Sequence, residues 1–269
     1  MKKILVPTDF SPVADNALRY AIEIATVFKS KIYLYHFFSY DRFNFDLNLP
    51  KDKQPYVKEL ERSMKRTKLK FDDKIKERGL SIKTYVREGS IFSLFKTKVQ
   101  EYEIDMIVLG SKGTSGMTKF FFGNIAASAL ELAEVPVLVV PPDHDFTQLQ
   151  HIVLAMDQIK VPPNVLSSLQ KLTSEFGSKV TILHVKANVK KGTDKVPDLG
   201  LEGVETTFRE VQRSKSINNT INEFIRKEPC ELLCMVRRKK GFFEKLFKKS
   251  ITEVQVFNNQ VPLLVLPEV

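Results

Sequence analysis

The sequence is poor in cysteine, with Cys230 and Cys234 as its only two. Residues so spaced share one side of a strand or one turn of a helix, and no further Cys or His pair lies near them to complete a metal site. A disulfide framework and a thiolate-bound zinc are therefore not expected, and both thiols read as small buried hydrophobes. Long apolar runs are missing as well. No stretch reaches the roughly 20 residues that cross a bilayer. The apolar part of Met1–Asp9 is too short for a secretory leader, so the expected compartment is the cytoplasm. Catalytic constellations are equally scarce. No Ser-His-Asp order, carboxylate dyad or metal cluster stands out, so at most a slow, incidental hydrolytic activity is expected. His36 and His184 end comparable apolar runs, which reads as packing.

What is present is an ordinary globular composition, 43% hydrophobic and 28% charged, over 269 residues, a length that suits two domains. The net charge of +10 is shared evenly between residues 1–143 and the remainder. In the second part it concentrates in Arg237–Lys249, which holds seven basic residues and one acid. That is one local patch, and nucleic acid is not the expected partner on this pattern.

The chain repeats itself. Ile4-Leu5-Val6-Pro7-Thr8-Asp9 is answered by Ile152-Val153-Leu154-Ala155-Met156-Asp157, and Lys31–Phe37 by Lys179–Val185, both shifted by 148 residues. Asp105–Leu109 is answered by Glu231–Met235, and Val135–Val140 by Val261–Leu266, now shifted by 126. Four ordered matches indicate a duplication, with residues 1–142 as one domain and 150–269 as the second. The lost 22 residues fall between strands two and three of the second copy. There the first copy has Tyr56–Arg78, which reads as a helix of about five turns by its apolar spacing. The second copy has Lys186–Glu205, broken by Gly192, Pro197, Gly200 and Gly203, which reads as loop. Apolar runs alternate with helical segments such as Asp15–Ala25, which follows the start signal Ser11-Pro12. Strands apolar on both faces belong in parallel sheets under helices. The expected fold is α/β: two doubly wound, five-stranded parallel sheets in tandem.

In such sheets ligands gather beyond the carboxyl ends of the strands, where strand order switches. Two segments of the first copy fall there. One is Pro7-Thr8-Asp9-Phe10-Ser11. The other is Leu109-Gly110-Ser111-Lys112-Gly113, followed by Gly123-Asn124 at a helix start. Glycine lets backbone N–H groups approach an anion without a Cβ in the way, and a helix N-terminus adds free donors. Lys112 would supply a mobile counter-charge. The pattern is neither a Walker loop nor a dinucleotide fingerprint. A glycine turn that only packs helix against strand stays open beside it.

Gly110-x2-Gly113-x9-Gly123-Asn124 resembles the G-x2-G-x9-G-(S/T) signature of the universal stress protein family. The aspartate ending strand one, Asp9, and the closing strand Val135–Val140 match that family as well. The resemblance implies an adenine nucleotide-binding fold and a stress-response protein, with ATP and its Mg²⁺ as the bound group. By position it implies that Asp9 and the backbone of Pro7, Thr8 and Phe37 contact adenine and ribose. Leu109, Gly110 and Gly113 would face ribose and phosphates, while Gly123, Asn124 and Ile125 would hold the phosphate end. Asn124 replaces the family's hydroxyl, but an asparagine also donates or caps. The resemblance further implies pairing of the two copies through Val137–Val140 and Leu263–Leu266, an internal pseudo-dimer open to further homodimerisation.

The second copy aligns Val236, Lys239, Lys249 and Ser250 with Gly110, Gly113, Gly123 and Asn124, so no glycine cradle is expected there. Phe243, Leu246, Phe247 and Ile251 fall at helical spacing within or just beyond its basic stretch, which reads first as an amphipathic packing segment. The alternative to nucleotide binding is an interaction scaffold whose basic segment meets an acidic partner or an anion.

Overall fold

The computed structural model describes residues 1–39, 52–111, 123–156, 161–162, 164–186, 197–238 and 261–268. Short apolar runs build the strands. In the first half these are β1 (Lys3–Pro7), β2 (Lys31–Phe38), β3 (Ser81–Glu88), β4 (Met106–Gly110) and β5 (Val137–Val140). Ser11 and Pro12 open α1 (Pro12–Phe28): the Ser11 hydroxyl accepts from Ala14 N at 3.2 Å, and Pro12 occupies the first turn, where no N–H is needed. Then come α2 (Gln54–Leu69), α3 (Asp72–Glu77), α4 (Ser93–Lys98, π-wound), α5 (Val99–Glu101) and α6 (Asn124–Leu132). The second half gives β6 (His151–Met156), α7 (Ser167–Phe176), β7 (Lys179–Lys186), β8 (Thr206–Gln212), α8 (Ile217–Lys227), β9 (Leu232–Arg237) and β10 (Leu263–Pro267).

All ten strands form one sheet in the order β3-β2-β1-β4-β5-β10-β9-β6-β7-β8. Within each half the strands are parallel and the order is the same. The halves meet where β10 pairs antiparallel with β5, Leu264 opposite Leu138. Side chains alternate between two layers of core. Ile4, Val6, Met106 and Val108 face the layer beneath α1, and Leu5, Ile107 and Leu109 face the layer that holds Ala126 and Ala129 of α6. Each such Leu or Ile contributes roughly 1.5–3 kcal/mol on burial, and each layer runs through both halves.

The helix expected over Tyr56–Arg78 is two helices. The chain breaks at Phe71, which leaves helical geometry (φ −116°, ψ 2°) and buries its ring, with the Arg19 guanidinium 5.8 Å above it. Neither proline nor glycine marks the break, and tertiary burial of one aromatic decides it. Between β7 and β8 the described residues, 197–205, contain no helix.

The segment between the halves is held down. Asn16 Nδ2 donates to Pro141 O at 3.1 Å and to His144 O at 2.9 Å. Tyr20 Oη bonds His144 Nδ1 and donates to Asp145 O, and the Phe146 ring lies between Tyr20 and Phe176. Among the described residues no helix is long and apolar enough to cross a membrane.

Candidate functional site

The switch in strand order of the first half falls between β1 and β4, so the crevice is bounded by the loop after β1 and by the chain leaving β4. Main-chain and side-chain bonds tie the first loop tightly. Pro7 ends β1. Thr8 N donates to Tyr35 O at 2.9 Å, and Thr8 Oγ1 accepts from Phe10 N at 3.0 Å. The Asp9 carboxylate accepts from Ser11 N at 3.1 Å, while Ser11 caps α1. Phe10 turns through a left-handed conformation, φ 66°, which for a bulky residue costs about 1–3 kcal/mol. Its ring stacks on His36 with centroids 4.4 Å apart, and His36 Nδ1 donates to Thr8 O at 2.8 Å. Burial holds the His36 imidazole below its ordinary pKa, against the opposing effects of the Thr8 bond and of Asp9, so the neutral ring is favoured. Phe37 follows it, half-buried, on β2.

Leaving β4, Leu109 points its side chain into the core and offers the crevice only its backbone. Gly110 has a packing reason to be glycine: a Cβ there would lie 2.7 Å from Val13 Cγ1. Beyond it Ser111 N donates to Val140 O, and Ser111 O accepts from Gly123 N, both at 2.8 Å. Those bonds bring the outgoing and returning chain together. Lys112 and Gly113 lie outside the described residues. Gly123 is the N-cap of α6, extended at φ −64° and ψ 161°, and among the described residues no side chain caps the helix. No acidic residue stands in its first turn. Asn124 is exposed and Ile125 half-buried. The Ser111 hydroxyl, in a residue 1% exposed, has no hydrogen-bond partner among the described residues.

The structure thus gathers Pro7, Thr8 and Asp9 on one wall and Gly110, Gly123 and Asn124 on the other. An uncapped helix start carries partial positive charge and free N–H donors, which suits an anion and repels a cation. No group of three metal-ligating side chains occurs among the described residues. The motif contained Ser111 without marking it as buried, and nothing in the pattern flagged the left-handed Phe10 or its stack on His36.

The profile described as "Universal stress protein family" matches residues 1–141, just over half the chain. The chain belongs to the universal stress protein family. Universal stress protein MJ0531 of Methanocaldococcus jannaschii is 30% identical over 141 residues, covering 52% of this chain and 81% of that protein. Universal stress protein MJ0577 of the same organism is 25% identical over 152 residues, covering 52% and 94%. A universal stress protein structure from Archaeoglobus fulgidus matches with a TM-score of 0.72 at 19% identity, covering 98% of this chain and 96% of its own, a likeness of fold. These sequence matches cover about half the chain, while the fold similarity extends through both halves.

In the second half the crevice would lie between β6 and β9. Val236 is buried in β9 where the first half has Gly110. Asp157, Lys239, Lys249 and Ser250 lie outside the described residues, as do Phe243, Leu246, Phe247 and Ile251. The first two members of the basic stretch turn inward. Arg237 donates to carbonyls of α6, and Arg238, buried, pairs with Glu268 at 3.1 Å.

Proposed function

We propose that the N-terminal half binds an adenine nucleotide, ATP with its Mg²⁺, as a stress-response ligand, while the C-terminal half is a non-binding structural or regulatory partner. One arrangement carries this reading: the start of α6 and the buried Ser111 hydroxyl, both without a side-chain partner among the described residues, at the strand-order switch. Phosphate oxygens would take the amides of Asn124 and Ile125, with Gly113 and Lys112 closing over them. Pro7, Thr8, Asp9 and Phe37 would hold base and ribose from the opposite wall. The antiparallel join of β5 and β10 is, on this reading, the internal counterpart of a subunit pairing.

Calorimetric titration of the full chain with ATP, with and without Mg²⁺, tests the proposal. Saturable binding that is lost in Gly113→Val supports it. Absence of binding at millimolar ATP refutes it.

One observation favours a second reading. Gly110 is explained by its contact with Val13, with no ligand required. A scaffold that binds a protein partner would keep that glycine and show no heat with nucleotide. Its basic surface would have to come from Lys239–Lys249, because Arg237 and Arg238 are committed inside the fold.

A further inference from the structure

Helix α6 lacks electrostatic support of its own at either end. It has no side-chain cap and no acid in its first turn, and no basic residue in its last turn. By contrast α2 ends with Arg66 and Lys68, and α8 with Arg226 and Lys227. At nine residues α6 is also too short to be stable by propensity alone. Its terminal carbonyls need donors, and acids at Glu131 and Glu134 sit at the negative end of its dipole.

The missing donor comes from the other half of the molecule. Arg237, the last residue of β9, donates through Nη1 to Leu130 O at 2.6 Å and Glu131 O at 2.8 Å, and through Nη2 to Ala133 O. Three carbonyls of one helix end share one guanidinium, a fork that a lysine ammonium does not reproduce. Glu134 pairs with Lys96 at 2.6 Å, while its charge and that of Glu131 still favour the charged form of Arg237. The 126-residue shift that maps Gly110 onto Val236 maps Ser111 onto Arg237, so the first half has a short hydroxyl where the second has the arginine.

We propose that Arg237 is a positioning residue for the phosphate-binding helix: the C-terminal half clamps the C-terminus of α6 so that its N-terminal amides stand ready for an anion. This rests on the nucleotide reading for its consequence, although the clamp itself does not. It gives the second half, which has no glycine loop, a physical task in a site it does not enter. The two ends of α6 are about 13 Å apart at 1.5 Å per residue. The coupling passes along one rigid helix.

The test uses the full chain with Arg237→Met, which removes the charge and donors but keeps the length, and with Arg237→Lys. Amide hydrogen exchange is measured on ligand-free protein across 127–133 and compared with β1 and β4, and ATP affinity is measured separately. Loss of the charged cap should speed α6 exchange about tenfold in Arg237→Met while β1 and β4 stay unchanged, with Arg237→Lys in between. ATP should bind more weakly by a similar factor in the same order. Unchanged exchange in α6 would overturn the clamp, whether or not the parent binds ATP. Faster exchange with unchanged ATP affinity would overturn the positioning role. If the parent shows no ATP binding, the nucleotide reading fails alone and exchange still decides the clamp. If Arg237→Met does not fold, exchange in Arg237→Lys decides, and a rate equal to the parent's counts against the fork.

Discussion

Val13 and Gly110 approach so closely that no side chain fits between them: a Cβ on Gly110 would stand 2.7 Å from Val13 Cγ1 and 3.1 Å from Val13 O. Part of that conflict is with backbone, so rotating Val13 cannot relieve it all. Gly110→Ala should lower the stability of the full chain by about 1–3 kcal/mol, the usual cost of overpacking. Adding Val13→Ala should recover some of it but not the whole. Urea unfolding of the single and double variants checks this. A Gly110→Ala protein as stable as the parent would mean that the glycine is there for a ligand and not for α1.

The two thiols should be inert. Burial pushes the Cys230 thiol up to about 12, with the Glu231 charge adding to it, and burial raises Cys234 further still. Thiolate is the reactive form, so neither should react with a disulfide reagent at pH 8 in the folded protein. Both should react once the chain is unfolded in denaturant. Rapid native labelling of either would show that β9 or the turn before it opens easily.

Much of this architecture could be read from the chain because its strands are apolar on both faces. Runs such as Ile4-Leu5-Val6 and Ile152-Val153-Leu154 need helices on both sides of a parallel sheet, and that requirement gives the layering directly. The start of α1 was equally plain, since Ser11-Pro12 acts through local chemistry alone. The features that escaped depend on distant partners. The break at Phe71 follows from where its ring is buried. Phe10 takes a left-handed turn because His36, from the neighbouring strand, stacks on it. Arg237 opens a run of cations that resembles a solvated face, and only the structure places carbonyls 130, 131 and 133 around it. At the crevice, glycine and helix-start signals name backbone positions, whereas the burial of Ser111 is a property of the packed fold.

The link between halves should behave as part of the fold. Tyr20→Phe removes a hydroxyl bonded to His144 Nδ1 and Asp145 O while keeping the ring that meets Phe146. The expected loss is about 1–2 kcal/mol, with His144 and Asp145 left short of a partner. Limited proteolysis should then cut within 141–150 faster than in the parent. Asn16→Ala, which frees Pro141 O and His144 O, should have the same effect. Cutting rates equal to the parent's in both variants would show that the link owes its order to other contacts.

His36 should make the protein acid-sensitive through the loop after β1. The folded ring is held below its ordinary value of 6.5, chiefly by burial, with the Thr8 bond and Asp9 working the other way. The unfolded chain therefore binds the proton more readily than the folded one near and below that pH. Stability from this residue is complete above about pH 6.5 and is lost as pH falls toward and through the folded value. The proton enters at Nε2, since Nδ1 already donates to Thr8 O. The added charge must then be carried in a half-buried site against the Phe10 ring. Nuclear magnetic resonance titration should place the His36 midpoint below that of an unfolded-peptide histidine. In His36→Gln the fall in stability between pH 7 and 5 should be shallower than in the parent, and Thr8 and Phe10 amides should exchange faster because the stack is gone. A parent whose His36 titrates at or above the peptide value would show that the Thr8 bond and Asp9 together outweigh burial, and the acid-side loss would then have to come from other groups.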